Sequence, residues 1–255
     1  MTARTHPPAV VINPETAGIG IIHSLALAQV ETIVVERRWP PLLGRFSRFV
    51  SRRVTYSTDG ADALVDCLLR LGRELGEKAV LFPSTDIDLE PLITAHAELS
   101  AYYHVPAAPH IGLRIFDKNW QYDLAEEVGQ PLPAYVRFLG GESPECGHLR
   151  FPLIVKPSSR TAADGGRAFR LRIVDTPAEL DIALDEIQRL YVGREFQVAE
   201  NIPGEPDQLY TVGAYSNAAG EVVRSYTGRK ITQYPYYHGM ASVAESLELP
   251  DEVVT

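Results

Sequence analysis

The sequence predicts an α/β first half built on a parallel sheet, followed by an α+β second half. Three observations lead there. Short apolar runs at 9–12, 32–36, 54–56 and 79–82 alternate with apolar helical stretches at 19–29, 61–75 and 89–102, and strands alternating with helices imply right-handed βαβ units with helices on both faces of a parallel sheet. These runs are continuous rather than alternating, as in strands buried on both faces. The pattern then changes: 195–200, 208–215 and 221–231 read as strands, the last two joined as an antiparallel hairpin around Asn217, Ala218, Ala219 and Gly220.

Within the first half, 61–75 places Ala61, Leu64, Val65, Leu68, Leu69 and Leu75 on one helical face. The first half, residues 1–112, is therefore expected to be a small Rossmann-like domain. Gly18-x-Gly20 opens its first helix and Glu36 ends its second strand, which invites a dinucleotide reading. The third glycine of that fingerprint is replaced by His23, so two glycines forming a tight strand-to-helix turn is the reading preferred over an NAD site. Pro106 and Pro109 mark a linker. Asp117 then reads as the N-cap of a helix with Trp120, Leu124 and Val128 on one face, ended by Gly129 and Pro131. A later helix begins with Thr176 as N-cap, Pro177 in the first turn and Glu179 completing a capping box, and buries Leu180, Ala183, Leu184, Ile187 and Leu190.

Composition removes several function classes. At 255 residues with 45% hydrophobic content the chain can build substantial cores. A net charge of −9 speaks against a nucleic-acid partner, because phosphate backbones require a basic surface. No run approaches the 18 or so apolar residues of a membrane span. Cys67 and Cys146 lie far apart with no zinc spacing, and Cys67 falls on an apolar helical face, which fits a reduced thiol in the cytoplasm. Arg45, Arg48, Arg52 and Arg53 form a local basic cluster, read as a charged loop, with recognition of an anionic substrate as the second reading.

The stretch richest in chemistry is 151–172. An apolar run delivers Lys156, Pro157 stops any helix, and a small polar loop with Ser158, Ser159, Thr161, Gly165 and Gly166 leads to a returning strand. Backbone N–H groups of such a loop can wrap phosphate oxygens while the ammonium neutralises them; an ordinary surface hairpin has the same pattern. Arg229 and Lys230, beside Tyr226 and Tyr234, are a tandem base able to clamp a carboxylate or a γ-phosphate, or to guard a sheet edge.

The order of these stretches resembles the ATP-grasp enzymes, and within them the D-aspartate ligase-like or carboxylate–amine ligase group. The likeness rests on Asp117-Lys118 leading a helix that ends in Gly129-Gln130-Pro131-Leu132-Pro133, on 151–157 with the Gly165-Gly166 loop, and on the hinge-like strand 196–204 containing Gln197. It implies a pre-ATP-grasp domain at 1–112, a first ATP-grasp lobe at 113–194 and the start of a second lobe at 195–255. It further implies an ATP-dependent ligase that joins a carboxylate to an amine through an acyl-phosphate. Lys118 and Lys156 would meet the phosphates and purine, and the loop from Ser158 and Ser159 to Gly166 would close over the phosphates. Glu200, Asn201 and Ile202 would meet the adenine edge, and Asp207 the ribose.

The end of the chain departs from the pattern. The family's acidic metal ligands, two carboxylates and an asparagine, find no counterpart before residue 255. The expectation is an incomplete last lobe, with Mg²⁺ ligands in a segment outside this chain and a homodimer or partner chain completing it. Two other readings stay open: a non-catalytic nucleotide- or metabolite-binding module, and an NAD-linked protein.

Overall fold

In a computed structural model the described residues are 6–57, 60–106, 110–159, 169, 171–234 and 239–248. They form two compact units, Met1–Glu200 and Asn201–Thr255.

The first unit opens with a five-stranded, all-parallel sheet of β1 (Ala9–Ile12), β2 (Thr32–Arg37), β3 (Arg52–Tyr56), β4 (Ala79–Pro83) and β5 (Tyr103–His104), in the order β3-β2-β1-β4-β5. Chain order reverses direction at β1, which pairs with β2 on one side and β4 on the other. Every residue of β1 is buried, as the unbroken apolar run demands. Val10 and Ile12 point to one face, against Leu64, Cys67, Leu68 and Leu71 of α2 (Ala61–Leu75). Val11 points to the other, against Ile22 of α1 (Thr16–Leu27). Burial pushes the Cys67 thiol above its ordinary pKa, the state expected of a packed, unreactive thiol. Gly72 lets α2 approach the end of the sheet: a Cβ there would stand 2.5 Å from Tyr102 Cβ.

The expected 89–102 helix is two. α3 (Asp86–Thr94) starts earlier because Thr85 caps it, its hydroxyl accepting from Asp88 N–H, and the short α4 (His96–Leu99) follows.

The second sheet is antiparallel, in the order β6-β9-β7-β8: β6 (Tyr135–Leu139), β7 (Leu153–Pro157), β8 (Arg172–Val174) and β9 (Glu195–Glu200). Leu153, Val155, Val174, Phe196 and Val198 face α6 (Pro177–Leu190), packing on its buried Leu180, Ala183 and Ile187. Thr176 caps α6 by accepting from Glu179 N–H, and the Glu179 carboxylate accepts from the N–H of Asp175. Leu190 is exposed rather than part of the buried stripe, since it lies in the last turn beyond the sheet. The sequence division at 194/195 falls immediately before β9, which pairs with β6 and β7.

The second unit carries an antiparallel sheet of β10 (Tyr210–Ser216), β11 (Val222–Tyr234) and β12 (Met240–Ser246), with β11 central. The predicted hairpin is there, turning at Gly220 with φ +82°. The third strand was not foreseen. A parallel α/β sheet followed by antiparallel sheets is the arrangement that the sequence predicts.

Candidate functional site

Side chains alternate across a strand, so the residues between the core positions of the second sheet point to its other face. Those residues are Lys156 on β7, Gln197 on β9 and Arg137 on β6, and they stand in register, Gln197 opposite both Lys156 and Arg137. One helix supplies their partners: α5 (Lys118–Glu127).

Lys156 Nζ donates to Tyr122 Oη at 3.1 Å and lies 4.8 Å from the centre of that ring. Gln197 Nε2 donates to Asn119 Oδ1 at 2.7 Å. Arg137 pairs with Asp123 at 2.6 Å and donates to the Asn119 carbonyl and to Tyr135 Oη. α5 itself is set by Asp117, whose carboxylate accepts from the N–H groups of Asn119 and Trp120 and from the Ser158 hydroxyl. Burial alone would raise the Asp117 pKa, but these hydrogen bonds outweigh it and hold the carboxyl below its ordinary value. Ser158 is buried, donates its N–H to Glu195 O, and accepts at its carbonyl from both Lys118 N–H and Lys118 Nζ. Helix N-terminus, strand end and the exit into the loop are thus tied at one point.

Two polar atoms on this face lack a hydrogen-bond partner among the described residues although both are buried: Gln197 Oε1, an acceptor, and Arg137 Nε, a donor. A face with one orphaned acceptor and one orphaned donor beside a lysine fits a polar, anionic ligand. That is the test a nucleotide must meet, and these residues meet it. No group of three or more His, Cys, Asp or Glu able to hold a metal occurs among the described residues.

Of the residues singled out by sequence, Lys118, Lys156, Ser158 and Gln197 come together on this face and at its edge. Ser159 follows Ser158 at the loop entrance, and Gly165 and Gly166 lie outside the described residues. Glu200 ends β9, where its carboxylate is engaged by Arg150 through the backbone N–H at 2.9 Å and the guanidinium at 3.3 Å. These hydrogen bonds lower its pKa. Asn201, Ile202, Asp207, Arg229 and Lys230 belong to the second unit. There Arg229 donates to Glu245, its neighbour across β11 and β12, and Lys230 donates to Gln233 Oε1 and Gly239 O. Arg229 thus has a fixed carboxylate partner within its own sheet.

Sequence reading missed Asn119, Tyr122, Asp123, Arg137 and Arg150. The first three were discernible only as polar positions of α5, and Arg137 only as the polar centre of the YVRFL strand. The expected apolar face of α5 is not buried: Leu124 and Val128 are exposed and no residue of the helix is buried. The helix is held by the polar contacts above instead. Of the glycine pair near the start of the chain, Gly18 is set by packing and Gly20 is not. A Cβ on Gly18 would meet Ser84 Oγ at 2.6 Å and Pro14 Cβ at 2.8 Å, whereas one on Gly20 would meet nothing within 4 Å.

Comparison with known proteins adds three findings. The chain is 25% identical over 206 residues to D-aspartate ligase from Enterococcus faecium, a match spanning 75% of this chain and 48% of that protein. It superimposes on L-amino acid ligase from Bacillus licheniformis with a TM-score of 0.66 at 14% identity, over 99% of this chain and 57% of that one. It also superimposes on D-alanine–D-alanine ligase from Bacillus anthracis complexed with ATP, with a TM-score of 0.54 at 16% identity, over 98% and 73%. The chain therefore spans about half the length of the curated relative it matches. No protein-family model matches it.

Proposed function

Because its fold is that of the ATP-grasp ligases, we propose that this chain forms the nucleotide-holding part of an ATP-dependent ligase that joins a carboxylate to an amine through an acyl-phosphate. The single observation that carries the reading is the Lys156–Gln197 pair on the open face of the antiparallel sheet, beside the orphaned Gln197 Oε1 and Arg137 Nε.

In this reading residues 1–112 are a Rossmann-like pre-ATP-grasp domain, 113–194 the first lobe and 195–255 the start of the second, with β9 as the strand that links the lobes. Lys156 and Lys118 offset phosphate charge, the compact ammonium being suited to a point contact on an oxygen. Tyr122 holds the Lys156 ammonium from one side, leaving its other N–H groups for a ligand. The loop from Ser158 through Gly166, of which 160–166 lie outside the described residues, would cover the phosphates. Glu200 and the backbone of Asn201 and Ile202 meet the adenine edge, and Asp207 the ribose. Arg229 and Lys230 orient the carboxylate. A carboxylate oxygen attacks the γ-phosphorus and ADP leaves; the amine nitrogen then attacks the acyl carbon, phosphate leaves, and the amine gives up its proton. Mg²⁺ bound with ATP would neutralise charge on the phosphates; none of the described residues is assigned to it. A cytoplasmic setting suits a consumer of ATP with reduced cysteines.

The test is titration calorimetry of ATP with Mg²⁺ into the wild-type chain and into Lys156→Ala. Wild-type binding is expected near the micromolar range, weakened by at least about tenfold in the variant. Phosphate release would then be followed with D-aspartate and a panel of amines and carboxylates. No ATP binding by a folded wild-type chain overturns the reading.

A further inference from the structure

The stretch that runs from β2 into β3 has no part in the nucleotide reading. Between Arg37 and Tyr56 it carries six arginines, Arg37, Arg38, Arg45, Arg48, Arg52 and Arg53, and no Asp or Glu, in a chain with 24 Lys and Arg against 33 Asp and Glu. Three of the six have carboxylate partners: Arg37 pairs with Glu15, Arg45 with Glu36 and Arg52 with Glu74. Arg38, Arg48 and Arg53 are exposed and pair with no carboxylate among the described residues. The residues between them are apolar, and Trp39, Leu43, Phe46 and Phe49 are 72%, 77%, 69% and 41% exposed.

These side chains are held outward by a loop fastened from beneath. Residues Leu43–Phe46 form one turn of 3₁₀ helix. Glu36, fully buried in β2, pairs with Arg45 at 2.8 Å and accepts from the Leu42 N–H at 3.1 Å. Gly44 is buried and donates its N–H to Pro14 O, so close that a Cβ there would stand 2.5 Å from Pro14 Cβ. Phe49 meets the His23 ring edge-on with 5.6 Å between centroids, which joins the loop to α1. α1 itself contains no Asp, Glu, Lys or Arg, and its Leu27 is 89% exposed. Pinning Leu42, Gly44 and Arg45 turns Leu43 and Phe46 to solvent. Apolar groups fixed in water cost free energy that only a partner can recover.

We propose that this surface docks the chain onto an anionic lipid bilayer, with Trp39, Leu43 and Phe46 entering the headgroup region and Arg38, Arg48 and Arg53 on lipid phosphates. Guanidinium groups alone would suit any polyanion, and apolar tips alone any hydrophobic partner. An anionic bilayer offers negative charge at its surface with hydrocarbon just beneath, and lasting peripheral attachment needs both kinds of contact. The acidic remainder of the chain is repelled by the same surface, which leaves this patch as the point of contact. No helix among the described residues is long and apolar enough to cross a membrane, so the chain lies on the bilayer. The inference requires no nucleotide and stands whether or not the chain is a ligase.

The test mixes the full chain, without ATP, with vesicles of phosphatidylglycerol or of phosphatidylcholine and sediments them. Co-sedimentation is expected with phosphatidylglycerol only, accompanied at saturating lipid by a blue shift of tryptophan emission that Trp39→Phe abolishes. Raising salt from about 0.1 M to about 1 M shortens the Debye length from ~10 Å to ~3 Å and is expected to weaken binding at least about tenfold. Arg48→Glu is expected to weaken it at least about fivefold. The double variant Leu43→Ser, Phe46→Ser is expected to weaken it at least about tenfold, with the circular dichroism spectrum unchanged because both side chains are exposed. Arg73→Glu makes the same charge change at an exposed position of α2 outside the patch and is expected to bind as the wild type does. No co-sedimentation of the wild type with phosphatidylglycerol overturns the proposal, as does equal binding to phosphatidylcholine. Wild-type affinity in the double variant, or an equal loss in Arg73→Glu and Arg48→Glu, also overturns it. So does self-association of the chain that the double variant abolishes without any vesicle binding, which would assign the patch to a second copy.

Discussion

Asp88 and Asp117 are pushed in opposite directions by their surroundings. Burial raises the pKa of Asp88, and the hydrogen bonds from Asn13 and Thr85 recover only part of that cost. At Asp117 the hydrogen bonds win over burial and the pKa falls. The linkage signs follow. A raised carboxyl contributes stability when protonated, present below its unfolded pKa and lost as pH rises through its folded value. A lowered one contributes stability present above its unfolded pKa and lost as pH falls through its folded value. Asp88→Asn is therefore expected to gain stability relative to wild type on going from about pH 4 to about pH 7. Asp117→Ala, which removes the cap of α5, is expected to cost roughly 1 kcal/mol near neutrality and less in acid. Urea unfolding of both variants across that range checks the pair, and parallel trends would show that one of the two environments is misread. Neither direction was legible in the sequence, where Asp117 reads as a cap but its bond to Ser158 spans 41 positions, and where Asp88 is one acid among several after β4.

At the scale of elements, legibility followed locality. α6 was readable because each of its signals lies within four residues of the next: Thr176, Pro177, Glu179 and the stripe of Leu180, Ala183 and Ile187. Thr176→Ala is expected to lower stability by about 1 kcal/mol, read as a shifted urea midpoint with an unchanged slope; no shift would mean that the cap bond contributes nothing. β1 was readable because burial on both faces leaves an unbroken apolar run. α5 was half-readable. Its start and its Gly129 stop, at φ +74°, are local, but its mates Lys156, Gln197 and Arg137 come from strands 14 to 78 positions away, and no period reports them. β6 and β12 were missed because short strands with polar residues at alternate positions look like loops in a single sequence. The candidate site combines the local signal of β7 with the non-local parts α5 and β6, which is why Lys156 was found and Tyr122 and Arg137 were not.

At the scale of the whole molecule the two units differ in what holds them. All three buried clusters belong to the first unit, and none of the buried hydrophobic residues among those described lies beyond Ala199. The second unit is a three-stranded sheet whose Val212, Tyr215, Val222, Tyr226 and Val243 are exposed, and a sheet of that size without a buried face is marginal alone. Residues 1–200 expressed alone are expected to unfold cooperatively on heating, and residues 201–255 alone to give a featureless melt. A cooperative transition in the shorter piece would disprove that division of stability. The order of elements along the chain, legible from the start, is what made the resemblance to the ligases readable; the distribution of burial between units was not, because it depends on which faces of β10 to β12 are covered.

Asn13 joins these scales. Its amide holds β1, β2, β3 and α3 together and also lines a cleft of about 330 Å³ where those three strands end. A wall that is also a joint cannot drift freely: a substitution that reshaped it would loosen four elements at once. Change at the cleft is then easier at its rim, at Trp39 and Ile87, whose side chains are 72% and 67% exposed.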